Sequence, residues 1–180
     1  MRLISEFSLY RAAALAAALA VVGALPVVAQ RDDDSGRASK NGHLEGRIDG
    51  VTVVVDYGRP NVKGRRIWGG LVPFGRVWRT GADEATTITF GADVVVQGQP
   101  LAAGTYGLFT VPGEDEWEVI FNSVAKQWGA FDYDAGKDVL RVKARPRAGD
   151  LVETLEFVID GGDLVLRWEK LELPVSISGG

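Results

Sequence analysis

Between Tyr57 and Ala82 the chain carries five arginines and one lysine without a single carboxylate: Arg59, Lys63, Arg65, Arg66, Arg76 and Arg79. Asp83 and Glu84 follow side by side. The arginine side chain presents a planar fork of N–H donors that holds a carboxylate, phosphate or sulfate through two parallel bonds, so this composition points to oxyanion recognition. Trp68 and Trp78 fall inside the segment, and Trp128, Phe131 and Tyr133 follow downstream. Such an aromatic set suits the wall of a pocket for a sugar ring or another flat ligand. There are competing uses. Arginines paired with Asp83, Glu84, Asp138 or the acids near Glu116 would brace long loops, and the same aromatics would close one end of a core.

Reaction chemistry has fewer parts to work with. Asp83, Glu84 and Asp138 are the carboxylates available to a hydrolase or lyase in which an arginine stabilises charge. Adjacent acids in extended chain point in different directions, however, and need opposed environments to divide acid and base roles. There is no cysteine, and the one histidine, His43, lies near the amino terminus, which removes the usual thiol nucleophile, imidazole base and zinc ligands. Neither Asp32 to Asp34 nor Asp132, Asp134 and Asp138 match the ligand spacing of a calcium loop, so no metal or cofactor is expected. Ser123 has no partner motif, and Gly104-Thr105-Tyr106-Gly107 lacks the lysine of a phosphate loop. A formal net charge of −4 and the absence of a recognition module argue against nucleic acid as partner.

The elements that must position these residues read as β throughout. Val51, Val53, Val55 and Tyr57 recur with period two, as do Thr86, Ile88 and Phe90, and Trp117, Val119 and Phe121. Leu140 with Val142 continues the pattern, followed by Leu155, Phe157 and Ile159, then Leu164, Leu166 and Trp168, with Leu171, Leu173 and Val175 closing the domain. Turn signals stand at Gly98, Ala103-Gly104, Pro112-Gly113 and Gly161-Gly162. About nine short strands with turns every ~8–12 residues predict an all-β fold, a two-sheet antiparallel β-sandwich, with a partly closed β-barrel as the rival. Trp117 and Trp168 lie in the alternating stretches and read as core.

Residues 1–29 have the form of a secretory signal peptide: Arg2 and Arg11, an apolar run from Ala12 to Val28 broken by Gly23 and Pro26, and a small-residue site at Val27-Val28-Ala29. A noncleaved amino-terminal anchor is the competing reading. The expected organisation is a flexible polar leader over 30–46, a single β-sandwich domain over 47–176 and a flexible tail over 177–180. The mature product is expected in the periplasm or outside the cell, without a membrane span.

The motifs YGRPNVKGRRIWGGLVPFGRVWRTGADEATTITF, LAAGTYGLFTVPGEDEWEVIFN and WGAFDYDAGKDVLRVKARP together resemble the DUF2911 family, exported bacterial proteins of unknown function. The likeness runs over about residues 45 to 175. Its signature falls on Arg59-Pro60, Lys63-Gly64-Arg65, Gly69-Gly70, Pro73 and Trp78 to Glu84. It continues through Ala103 to Tyr106, Pro112, Trp117, Asn122, Trp128-Gly129, Tyr133, Asp138 and Arg141. The chain has Asp83 where the family more usually has asparagine, and Phe74 where tyrosine is common. The resemblance implies export and brings no activity with it.

The residues expected to form a ligand site are therefore Arg59, Arg65, Trp78, Arg79, Asp83, Glu84, Trp128, Tyr133, Asp138 and Arg141. The leading expectation is a noncatalytic module for an anionic or carbohydrate-like ligand. The alternatives are a carboxylate-dependent hydrolase or lyase and a structural or partner-binding envelope protein.

Overall fold

A computed structural model describes Arg31 and residues 33–180. The segment expected as a signal peptide lies outside the described residues. Ten strands build two antiparallel sheets that face each other across one core. The larger sheet has the order β1 (Lys40–Ile48), β2 (Val51–Arg59), β3 (Thr86–Phe90), β6 (Gly104–Val111), β7 (Trp117–Asn122) and β8 (Asp138–Ala144). The smaller has the order β5 (Gln99–Leu101), β4 (Val94–Val96), β10 (Asp163–Gly179) and β9 (Arg147–Asp160). The sheets stay separate, so the fold is the sandwich and not the closed barrel.

The period-two positions meet in the interior. Val53, Val55 and Tyr57 of β2, Ile88 and Phe90 of β3, and Trp117, Val119 and Phe121 of β7 pack against Leu155 and Phe157 of β9 and Leu164, Leu166, Leu173 and Val175 of β10. The opposite phase of β6 and β7 supplies Phe109 and Ile120, which form a second, smaller cluster with Ala85, flanked by Val77, Ala130 and Tyr133. The intersheet core fixes the register, because a one-residue slip would move each apolar set to the other face.

Three boundaries differ from the sequence expectation. Residues 40–46, expected in a polar leader, form most of β1, which pairs with β2 along its whole length from Lys40↔Arg59 to Ile48↔Val51. The reason is a hairpin: Asp49 and Gly50 both take positive φ, 48° and 80°, the backbone of a type I′ turn. Gly42 in β1 reports close approach and not flexibility, since a Cβ there would sit 2.6 Å from the Tyr57 ring and 2.8 Å from the Arg59 stem. At the other end, residues expected as a tail continue β10, with Ile177, Ser178 and Gly179 opposite Val96, Val95 and Val94. Finally, the two apolar sets Leu164, Leu166, Trp168 and Leu171, Leu173, Val175 belong to one strand. Register shifts between Arg167 and Leu171 absorb the change of phase, and Glu169 takes a φ of 56° there.

Candidate functional site

The loop joining β2 to β3 holds the cationic segment and is tied at both ends to the sandwich. On one side Val62 N–H donates to Glu153 O at 2.8 Å, Leu155 N–H donates to Pro60 O at 3.0 Å, and the Thr154 hydroxyl donates to Asn61 Oδ1 at 2.6 Å, fastening the loop to β9. On the other, Trp78 and Thr110 exchange backbone bonds of 2.7 and 2.9 Å, which fastens it to β6. Thr80 occupies the left-handed region at φ 53°, uncommon for a β-branched residue. Its hydroxyl is placed 3.2 Å from that of Thr110, and its carbonyl accepts from the Thr86 hydroxyl at 2.9 Å. Asp83 is also left-handed, at φ 62°, a conformation that asparagine and aspartate adopt with least strain. This backbone accounts for either residue at position 83.

Four of the five tryptophans form the hub beneath this loop. Trp68 meets Trp117 edge-on with ring centroids 4.9 Å apart, Trp168 at 5.6 Å and Trp78 at 5.9 Å, while Trp78 stacks on Trp168 at 6.0 Å. The Trp78 indole N–H donates to Gly81 O at 3.1 Å and so fixes the turn that follows Arg79. The indole nitrogens of Trp68, Trp117 and Trp168 are buried without an acceptor among the described residues.

Above the hub opens a cleft of about 270 Å³. Its charged lining consists of Lys63, Arg65, Arg79 and Asp83, with Asn61 beside them; Trp78, Trp168, Pro60, Leu71 and Val72 give it apolar walls, and Ala38 and Ser39 close one side. Arg79 is half-buried, makes no hydrogen bond or ion pair with a described residue through its guanidinium, and has its Nε buried without an acceptor. Burial pulls its pKa below the ordinary arginine value, and the Asp83 charge opposes that pull. Arg65 donates from Nε to Val62 O at 3.1 Å and from Nη2 to Asn61 O, which holds the guanidinium in place and leaves Nη1 without a partner among the described residues. Asn61 uses its carbonyl oxygen on Thr154 and keeps its amide N–H₂ similarly unengaged.

The remaining expected site residues separate into other groups. Arg59 turns to β9, donating from Nε to Leu155 O at 3.3 Å. Glu84 serves as a clasp for the leader: Arg37 Nη1 donates to its carboxylate at 2.6 Å, and Arg31 Nη2 donates to its backbone oxygen at 2.5 Å and stands 3.6 Å from the carboxylate. Burial would raise the pKa of Glu84, but the Arg37 hydrogen bond, a backbone N–H and the two arginine charges outweigh it and hold the carboxyl below its usual range. Trp128 is 55% exposed and lies beneath the Arg37 guanidinium, 5.7 Å from its ring centroid, outside the cleft.

Tyr133, Asp138 and Arg141 do converge, but on each other. Tyr133 donates to Asp138 Oδ2 at 2.6 Å, Arg141 donates to the same oxygen at 2.8 Å, to the Tyr133 hydroxyl at 2.6 Å and to Glu118 at 2.7 Å, and Asn122 Nδ2 donates to Asp138 Oδ1 at 2.8 Å. With both carboxylate oxygens engaged, this is a brace between β7, β8 and the loop that joins them. Burial, with the Asp138 hydrogen bond and charge behind it, pushes the Tyr133 hydroxyl up to about 12.

The structure thus brings Arg65, Trp78, Arg79 and Asp83 to one cleft and places Arg59, Glu84, Trp128 and the Tyr133 group elsewhere. It adds Asn61, Lys63 and Trp168, which the expected site lacked. Of the three carboxylates considered for catalysis, Asp83 is the one that lines the cleft. Among the described residues no group of three or more His, Asp or Glu is placed to hold a metal ion.

Fold and cleft together define a two-sheet β-sandwich whose longest interstrand loop carries a cation-lined pocket. The family model described as "Protein of unknown function (DUF2911)" matches residues 39–177, and the chain belongs to that family. No curated protein and no solved structure matches it.

Proposed function

We propose that this protein is a binding module that takes a small anionic ligand into the cleft between the β2–β3 loop and β10. The observation that carries the reading is Arg79, a half-buried cation with no ion-pair partner among the described residues and an orphaned Nε, in a cleft that also holds Lys63 and Arg65. Leaving a buried donor unsatisfied costs about 1–3 kcal/mol, a cost that an acceptor-rich ligand removes. Carbohydrate stacking has less support, because Trp78 and Trp168 are only 8% and 1% exposed and offer little open ring face. Catalysis by a carboxylate pair also has less support, since Glu84 is held by arginines away from the cleft lining. The test is calorimetric titration of the purified protein with small organic anions, alongside Arg79→Met. Binding that disappears in the variant supports the reading, and equal binding by both rejects it.

A second reading, docking of a protein partner, is favoured by two exposed aromatics three residues apart in the chain, Phe131 at 85% and Trp128 at 55%. Under that reading Phe131→Ser abolishes association with the partner and leaves anion titrations unchanged.

A further inference from the structure

We infer that the ligand of this cleft is a dianion carrying an organic group, a phosphomonoester of a small alcohol or phenol. The inference rests on the anion-binding reading above and specifies the ligand class. Three cations, Lys63, Arg65 and Arg79, face one carboxylate, Asp83, so the lining carries a surplus of two positive charges. A monoanion would neutralise half of that surplus, whereas a phosphomonoester above its second ionisation neutralises all of it within one group.

The Nε of Arg79, the Nη1 of Arg65 and the amide of Asn61 are N–H groups without acceptors among the described residues, and all three residues line the cleft. Arg65 and Asn61 are pre-positioned by their other bonds, so less side-chain freedom is lost when they engage. A tetrahedral phosphate presents three terminal acceptor oxygens in one group, and a carboxylate presents two.

The cleft measures about 270 Å³, far above the ~10–15 Å³ that one water needs on this measure. A bare tetrahedral anion leaves most of it unfilled. The apolar wall of Pro60, Leu71 and Val72 fits an organic substituent, and there the ester's alcohol or phenol is placed.

The experiment compares phenyl phosphate with phenyl sulfate, which has nearly the same shape but stays a monoanion, by calorimetric titration at pH 8 and pH 5. The charged groups lining the cleft are Lys63, Arg65, Arg79 and Asp83, with no histidine among them, so a preference that changes over this interval reports the phosphate's second ionisation, near pH 6. The expected result is at least a tenfold preference for phenyl phosphate at pH 8 that shrinks toward parity at pH 5, with Arg65→Gln and Lys63→Gln each weakening phenyl phosphate. Both of those side chains are exposed, and urea unfolding of each variant checks that it folds as the parent does. Equal binding of the two esters at pH 8, lost in Arg79→Met, would overturn the dianion and leave the anion site standing. Tighter binding of succinate than of phenyl phosphate would overturn the ester in favour of a dicarboxylate. No binding of any of these would overturn both readings.

Discussion

Replacing Arg79 with methionine is predicted to stabilise the free protein while removing its ligand affinity. Methionine keeps most of the apolar stem and deletes the guanidinium, so little packing is lost. What disappears is a half-buried charge whose Nε has no acceptor, an arrangement that costs about 1–3 kcal/mol when the donor is fully buried. Partial exposure of the side chain reduces this, and losing the attraction to half-buried Asp83 offsets a further few tenths of a kcal/mol. A net gain of about 1 kcal/mol remains, or roughly 3 °C in Tm for a domain of this size. In the complex the same group makes charge-assisted hydrogen bonds worth about 1.5–3 kcal/mol, so its loss weakens phenyl phosphate binding by ~10–150-fold. Urea unfolding of both proteins and titration with phenyl phosphate give the two quantities. A variant that unfolds at lower urea than the parent yet binds as tightly would refute the reasoning, because it would make Arg79 a structural brace.

Three other perturbations address the scaffold. Gly42→Ala would push a methyl group into the Tyr57 ring and the Arg59 stem, and a cost of about 1–3 kcal/mol in urea unfolding is expected from this overpacking. Because the pKa of Glu84 is depressed in the folded state, the clasp contributes stability above the unfolded value of about 4.3 and loses it as the pH falls through the lower folded value. Glu84→Gln should therefore lower the hydrogen-exchange protection factors over residues 33–39 at pH 7, and acid should lower them in the parent once the slower intrinsic exchange at low pH is divided out. Tyr133 has a raised pKa, so its contribution is complete below about pH 10 and is lost as the pH climbs to about 12. Alkaline melts should show that loss in the parent and a smaller one in Tyr133→Phe.

The sandwich was legible because one-sided burial writes a period of two into the sequence, and Val53, Val55, Tyr57, Trp117, Val119 and Phe121 all fall inside as that period requires. β1 was not legible by the same rule. As an edge strand with Gly42 pressed against Tyr57 it has little apolar alternation, and its signal is the Asp49-Gly50 turn, whose two positive φ values imply a strand on each side. The bulge in β10 was hidden for a related reason: the phase change between Trp168 and Leu171 reads equally as the end of one strand and the start of another.

The site was legible in composition and not in grouping. Charge segregation identified Arg65 and Arg79, but local sequence cannot show that Arg59 bonds Leu155 across the intersheet contact, or that Glu84 faces the leader. Asn61 and Lys63 carried a usable signal, since both flank arginines in the same carboxylate-free stretch. Trp168 carried none, because its place in an alternating strand marks a core residue equally well.

The most direct test of the central claim is a two-dimensional ¹⁵N spectrum of arginine Nε–H and tryptophan Nε1–H groups during titration with phenyl phosphate. Arg79, Arg65 and Trp168 line the cleft, whereas Arg141 and Trp128 do not. The account predicts saturable shifts of the Arg79 and Arg65 Nε–H and Trp168 Nε1–H resonances, with those of Arg141 and Trp128 unmoved. Resonances of Arg79, Arg65 and Trp168 that stay fixed while the protein is saturated, or that stay fixed up to millimolar ligand, would contradict it.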